Sequence, residues 1–237
     1  MRDPYLYEDA DVLINLGNIK DVELLKSAEA DVTGYTLAIL YNTEFKKFDS
    51  QALLDAHRII FGDLYPWAGE IRTIQMTKPE QVLGGDTVRY SHPKEIKNEL
   101  AAVLKETTTL NQAQDRNDLI FRIVRITAKL WQIHPFREGN TRAIVAFSIL
   151  LAQHHGIEVN SLLFEKHAAY VRNALVWASQ GIYAKFEYLE RIYFDAMYGD
   201  LSHSSSNDLG SEKYTIVNGH YIADHIEQPH TYGGDES

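Results

Sequence analysis

The chain contains no cysteine. That excludes a disulfide scaffold, a thiol nucleophile and a thiolate metal site, and it suits either a reducing cytoplasm or a protein that crosses membranes unfolded. No stretch reaches the ~18 consecutive apolar residues of a transmembrane helix, so membrane insertion is not expected. The start, MRDPYLYEDADVL, is acidic and polar and does not resemble a secretory leader. Basic charge is in deficit: 23 Lys and Arg stand against 33 Asp and Glu, a formal net charge of −10. A surface of that sign opposes non-specific nucleic-acid binding, and no nucleic-acid partner is expected. The ten histidines are scattered, with no HExxH spacing, so a zinc site is not expected.

What is present is a chain of 237 residues, 45% hydrophobic, enough for one large domain and an appendage. Helical periodicity dominates, and the expected fold class is all-α. Candidate helices lie near 21–29, 31–45, 50–61, 93–107, 115–133, 140–154, 164–179 and 183–198. Asp31, Ser50 and Asp115 are the expected N-caps, and Gly156 ends the helix that begins at 140. Residues 71–91 break the pattern. Positions 71–77 and 87–90 alternate like short strands, with Pro79 and Gly84-Gly85 between them, which predicts a projecting β-hairpin. After Gly199 the composition turns to Ser and Asn, a linker over 201–213. Asn218-Gly219 between two apolar runs then predicts a second hairpin within 214–237. A hairpin alone is marginally stable, so this segment reads as strands docked on the body or as the start of a further domain.

The most informative stretch is 134–142, HPFREGNTR. It follows a helical pattern with apolar residues at Ile120, Ile123, Val124, Leu130 and Trp131. It opens onto 143–152, AIVAFSILLA, which is apolar on nearly every face and therefore a buried central helix. The motif is thus a turn at the N-terminus of a buried helix. There the first N–H groups lack partners and the helix dipole favours an anion, phosphate above all. His134 offers a base and Glu138 a metal ligand. Gly139 permits close backbone approach, and Asn140 is read as a cap or an anion ligand. Arg142 stands in the first turn, where a cation opposes the dipole, and so points to an anionic ligand. Pro135 ends the preceding helix, and Phe136 is expected to anchor the turn in the core.

This motif resembles the signature of the Fic (filamentation induced by cyclic AMP) family, HPFx[DE]GNGRxxR. His134, Pro135, Phe136, Glu138, Gly139, Asn140 and Arg142 match it. Upstream, LYPWAGEIR at 64–72, Asp3-Pro4-Tyr5 and Asp11-Val12-Leu13 also resemble family segments, so the likeness covers roughly 3–199. Thr141 departs from the family's glycine, and Val145 stands where a second arginine is usual. The resemblance implies a Fic domain over 1–200 and transfer of AMP from ATP to a Tyr, Thr or Ser hydroxyl of a target protein. His134 would be the general base and Glu138 would hold Mg²⁺. Gly139, Asn140, Thr141 and Arg142 would bind phosphate, and Tyr170 and Asn173 would lie near the nucleotide base. The hairpin becomes a flap that registers the target by strand addition, through Thr73, Ile74, Gln75, Met76 and Thr77. Lys78, Glu80 and Asp86 are the charged candidates at its tip.

Among Fic domains the chain looks most like those of type IV-secreted bacterial effectors of the Bartonella type. Such proteins continue into an oligonucleotide-binding-like (OB-like) fold, and the 214–237 segment suits its start. That implies the bacterial cytoplasm before secretion and the host cytoplasm after it, with a host small GTPase as target. The family's inhibitory pattern [ST]xxxE[GN] is absent outside the active-site loop. A separate small antitoxin-like protein is then the expected inhibitor, if the chain is restrained at all. Three readings stay open beside this one, the first a deadenylating enzyme that would use the same site, against which the missing inhibitory glutamate argues. In a kinase-like Fic protein Ala-Asn-Lys commonly stands where this chain has Gly-Asn-Thr. In a catalytically inactive binding module, Thr141 and Val145 would mark decay of the site.

Overall fold

The computed structural model describes residues 2–199, 211–214, 216–217 and 220–221. Within them the chain is predominantly helical: α1 (Val22–Tyr41), α2 (Ser50–Phe61), α3 (Ile96–Lys105), α4 (Arg116–Ile133), α5 (Asn140–His154), α6 (Ser161–Lys166), α7 (Ala168–Ala178) and α8 (Glu187–Tyr198). The fully apolar segment is α5. Every residue from Ala143 to Ala152 is buried, because α4, α2 and α1 surround it.

Three helix boundaries differ from expectation. The two helices expected over 21–45 form one, α1, capped by Asp21, whose carboxylate accepts from Leu24 N–H at 2.8 Å. Asp31 lies in its interior. Asp49, one residue before the expected Ser50, caps α2 by accepting from Ala52 N–H at 3.1 Å. The helix expected over 164–179 breaks at His167 into α6 and α7. Asp115 caps α4 as expected.

Residues 71–91 do not form a regular hairpin. A single isolated bridge joins Pro79 to Thr87, and a 3-10 turn, Gln81–Leu83, fills the space between. The alternation is real, since Thr73, Gln75 and Thr77 are exposed while Arg72 and Met76 are buried. The carbonyls, however, find another partner. Arg72 is 1% exposed, and its guanidinium donates to the carbonyls of Ile74 and Ser91 at the two ends of the segment. Its Nε donates to His134 O at 2.7 Å, and its backbone N–H to Pro135 O at 2.8 Å. One buried cation thus replaces ladder bonds and ties the segment flat against the motif loop. The N-terminal segment braces the same loop: Arg137 donates to Asp3 at 2.8 Å, and Tyr5 meets Trp67 edge-on at 5.4 Å.

Past α8, Ser211–Tyr214 forms a 3-10 turn. Tyr214 donates to Asp195 at 2.6 Å and packs against Tyr170 at 5.1 Å. Ile216–Val217 pairs antiparallel with His220–Tyr221. The Ser-rich part of the expected linker, the Asn218-Gly219 turn and everything after 221 lie outside the described residues.

Candidate active site

The chain leaves α4 at His134 with φ +53°, a left-handed conformation unusual for a residue with a side chain. Pro135 follows and cannot continue the helix. The loop closes at Gly139, φ +77°, where α5 begins with no side-chain cap. Asn140, expected as the cap or an anion ligand, does not cap α5 with its side chain. It is 3% exposed, its Oδ1 accepts from Phe136 N–H at 2.9 Å, and its Nδ2 donates to Phe136 O at 2.8 Å. Its amide staples the loop into shape and leaves the N-terminus of α5 open.

His134 is 3% exposed. Its Nδ1 lies 3.3 Å from Trp131 O, which assigns the proton to Nδ1. The buried Nε2 then carries a lone pair, and it has no hydrogen-bond partner. Tyr90 stacks on the ring at 3.9 Å and Trp131 meets it edge-on at 5.4 Å. Burial, then the Lys78 ammonium, hold the imidazole well below its ordinary pKa, so it is neutral near pH 7.

Glu138 is about a third exposed, at 34%, and its Oε2 lies 3.6 Å from Lys78 Nζ. Burial pushes its carboxyl up, but Lys78, the Gly139 amide and Arg142 outweigh that and keep it ionised. Arg142 is held by α1: its guanidinium donates to Glu29, and to Thr33 Oγ1 at 3.2 Å, and it lies over the Phe61 ring at 4.8 Å. Glu29 also accepts from Tyr65 Oη. The cation's awkward place in the first turn is therefore compensated within the chain. Among the described residues no group of three His, Cys, Asp or Glu is arranged to hold a metal. The donor set fits Mg²⁺ nonetheless, because that ion takes one or two carboxylates and completes its shell with water and phosphate oxygens.

Other expected site residues sit differently. Thr141 accepts from Trp131 Nε1 at 2.9 Å, so its hydroxyl braces α4 against α5. Tyr170 is buried, and its hydroxyl donates to Tyr188 O at 2.8 Å inside the α7–α8 packing. Asn173 is half-buried on α7. Glu80 is not at an exposed tip. It is 0% exposed and accepts two hydrogen bonds from Arg172, at 2.6 and 2.9 Å, and one from Tyr90 at 3.3 Å. Ile74 is half-buried, Met76 is buried, and Lys78 reaches back to Glu138. Of the charged tip candidates only Asp86 is exposed.

The motif loop also depends on His57, which sequence reading missed. Its place on the apolar face of α2, four residues after Leu53, was the available signal. Fully buried, it accepts from Gly69 N–H at Nδ1, 2.9 Å, and its Nε2–H donates to Glu138 O at 3.0 Å. Phe136 stacks on it at 3.8 Å. Burial lowers its pKa to about 4. The folded pKa is the depressed one, so protons favour the unfolded chain as pH falls. Between about pH 6.5 and 4 this histidine should withdraw about 3 kcal/mol of stability. Urea unfolding of wild type should therefore weaken more steeply over that window than unfolding of His57→Gln. Parallel pH dependences would show that His57 is not buried neutral.

The sequence profile of the Fic/DOC family matches residues 47–152. The chain is 29% identical over 165 residues to the protein adenylyltransferase VbhT of Bartonella schoenbuchensis, across 67% of this chain and 32% of that protein. It therefore spans about a third of that relative's length. It is 27% identical to the probable protein adenylyltransferase Fic of Escherichia coli K12, across 70% of this chain and 80% of that protein. Among solved structures, BepC, a VirB-translocated Bartonella effector protein from Bartonella tribocorum with bound AMPPNP, superposes with a TM-score of 0.68 at 22% identity, covering 81% of this chain and 95% of that one.

Proposed function

We propose that this chain, which carries a Fic domain, is a protein adenylyltransferase that moves AMP from ATP to a Tyr, Thr or Ser hydroxyl of a target protein. The observation that carries the reading is His134 Nε2. It is a buried, neutral, unpartnered base in the loop that leads into an uncapped helix N-terminus. In the reaction Nε2 takes the proton of the incoming hydroxyl. The hydroxyl oxygen bonds to the α-phosphorus as the bond to the bridging oxygen breaks and pyrophosphate leaves. The N-terminus of α5, with Gly139, stabilises the charge that develops on the α-phosphate oxygens. Glu138 would hold Mg²⁺, which when bound neutralises phosphate charge. Arg142 has N–H groups beyond those engaged by Glu29 and Thr33, and they are available to the β-phosphate.

Because Nε2 is out of contact with solvent, the target hydroxyl reaches it only when Tyr90 and the 71–91 segment shift. The exposed row Thr73, Gln75 and Thr77 is the edge on which an extended target segment would pair. The likeness to Bartonella effectors supports secretion by a type IV system and a target in the host cell, such as a small GTPase. Val145 lacks the charge that an inhibitory glutamate would need, so any separate antitoxin-like restraint would work through other contacts.

Calorimetry with ATP tests the site. Binding to wild type should strengthen at least about tenfold on adding Mg²⁺, and Glu138→Ala should lose that gain. Equal affinity with and without the metal would remove Glu138 from the nucleotide site.

A further inference from the structure

Immediately beyond Arg142 a cavity of about 530 Å³ opens between α1, α5, α6 and α7. Thr141 and Arg142 form its near wall. Most of the rest is apolar, including Ala30, Leu37, Val145, Phe164 and Val171. Its size is that of a small-ligand pocket. Its charges are unusual for a place where a phosphate chain would end. Arg142 is the single cationic side chain in the lining, and it already carries Glu29; the other charged lining residue is the carboxylate of Glu165. Val145, one turn along α5 from Arg142, brings a methyl surface where a cation would be needed.

A phosphate seated on the N-terminus of α5 with its neighbour at Arg142 directs the next group of the donor into this cavity. A terminal phosphate there would meet the Glu165 carboxylate and a guanidinium already paired with Glu29, so its charge would go uncompensated. A neutral group would meet apolar walls and the hydroxyls of Thr33 and Ser161.

We propose that recognition of the nucleotide donor ends at its second phosphate, so that this site takes a nucleoside diphosphate, or a diphosphate esterified to an uncharged group, at least as well as a triphosphate. This rests on the adenylyltransferase reading and names its donor class. The transfer balances as before: the target oxygen bonds to the α-phosphorus, the bond to the bridging oxygen breaks, and the proton goes to His134 Nε2. The departing group is phosphate or a phosphate monoester instead of pyrophosphate.

Calorimetry with ADP, ATP and ADP-glucose in Mg²⁺ tests this on the wild-type chain. ADP and ADP-glucose should bind as tightly as ATP or tighter, within about threefold. Val145→Arg should shift the ATP-to-ADP affinity ratio at least about tenfold toward ATP. Glu165→Gln, an exposed and mild change, should shift it the same way by about twofold or more and leave ADP unaltered. A wild-type preference for ATP over ADP of about tenfold or more, with nucleotide binding intact, overturns this inference alone. An equal loss of both ligands in Val145→Arg would put the nucleoside in the cavity and also overturn it. Failure of all three ligands to bind overturns both this inference and the adenylyltransferase reading.

Discussion

His134→Ala should lower transfer by about two to four powers of ten and leave ATP affinity within about twofold of wild type. The separation follows from the geometry. In the proposed mechanism phosphate charge is met by the α5 N-terminus and Arg142, whereas Nε2 acts only on the incoming hydroxyl. The imidazole stacks on Tyr90 and contacts Trp131, but it makes no tie to α5. The loop's own bonds, Asn140 to Phe136 and His57 to Glu138, do not involve its side chain. The pH dependence should agree. Burial and Lys78 keep His134 neutral well below its ordinary range, so lowering pH from 8 to 6 should not cost activity through protonation of this base. A variant that modifies its target at the wild-type rate would remove His134 from the chemistry.

Gly139→Ala should be the most damaging small change in the loop. At φ +77° an alanine pays about 1–2 kcal/mol for its left-handed backbone. Its Cβ would also lie 2.3 Å from Cε2 and Cζ of Phe61. That ring cannot retreat, because it is fully buried at the end of α2, beside His57 at 4.7 Å. Overpacking of this kind costs about a further 1–3 kcal/mol, and it acts on the turn proposed to present the phosphate site. Gly84→Ala is the control. Its φ is +68°, but nothing lies within 4 Å of the added methyl, so only the backbone cost remains. Urea midpoints should separate the two variants, and transfer should be lost in Gly139→Ala alone. Equal destabilisation would mean that the loop moves away from Phe61 at no cost.

The sequence carried the fold class and the motif's setting because both rest on local signals. The apolar run 143–152 had to be buried, and Pro135 and Gly139 had to bound a turn. What it hid depends on partners far along the chain. Asp31 read as an N-cap, so α1 read as two helices meeting there, yet packing against α2 and α5 carries one helix through it. The alternation over 71–77 predicted a hairpin correctly in its faces and wrongly in its bonding, because Arg72 takes the carbonyls that a ladder would use. Glu80 read as a surface charge because its partner, Arg172, is 92 residues away. Trp131 donates to the Thr141 hydroxyl across α4 and α5, a contact that no sequence pattern announces.

The central claim is tested most directly by incubating the protein with a cell lysate and ATP labelled at either the α- or the γ-phosphate, with His134→Ala in parallel. The account predicts protein-bound label from α-labelled ATP only, lost in the variant. Label that appears on protein from the γ-position, and not from the α-position, would contradict it.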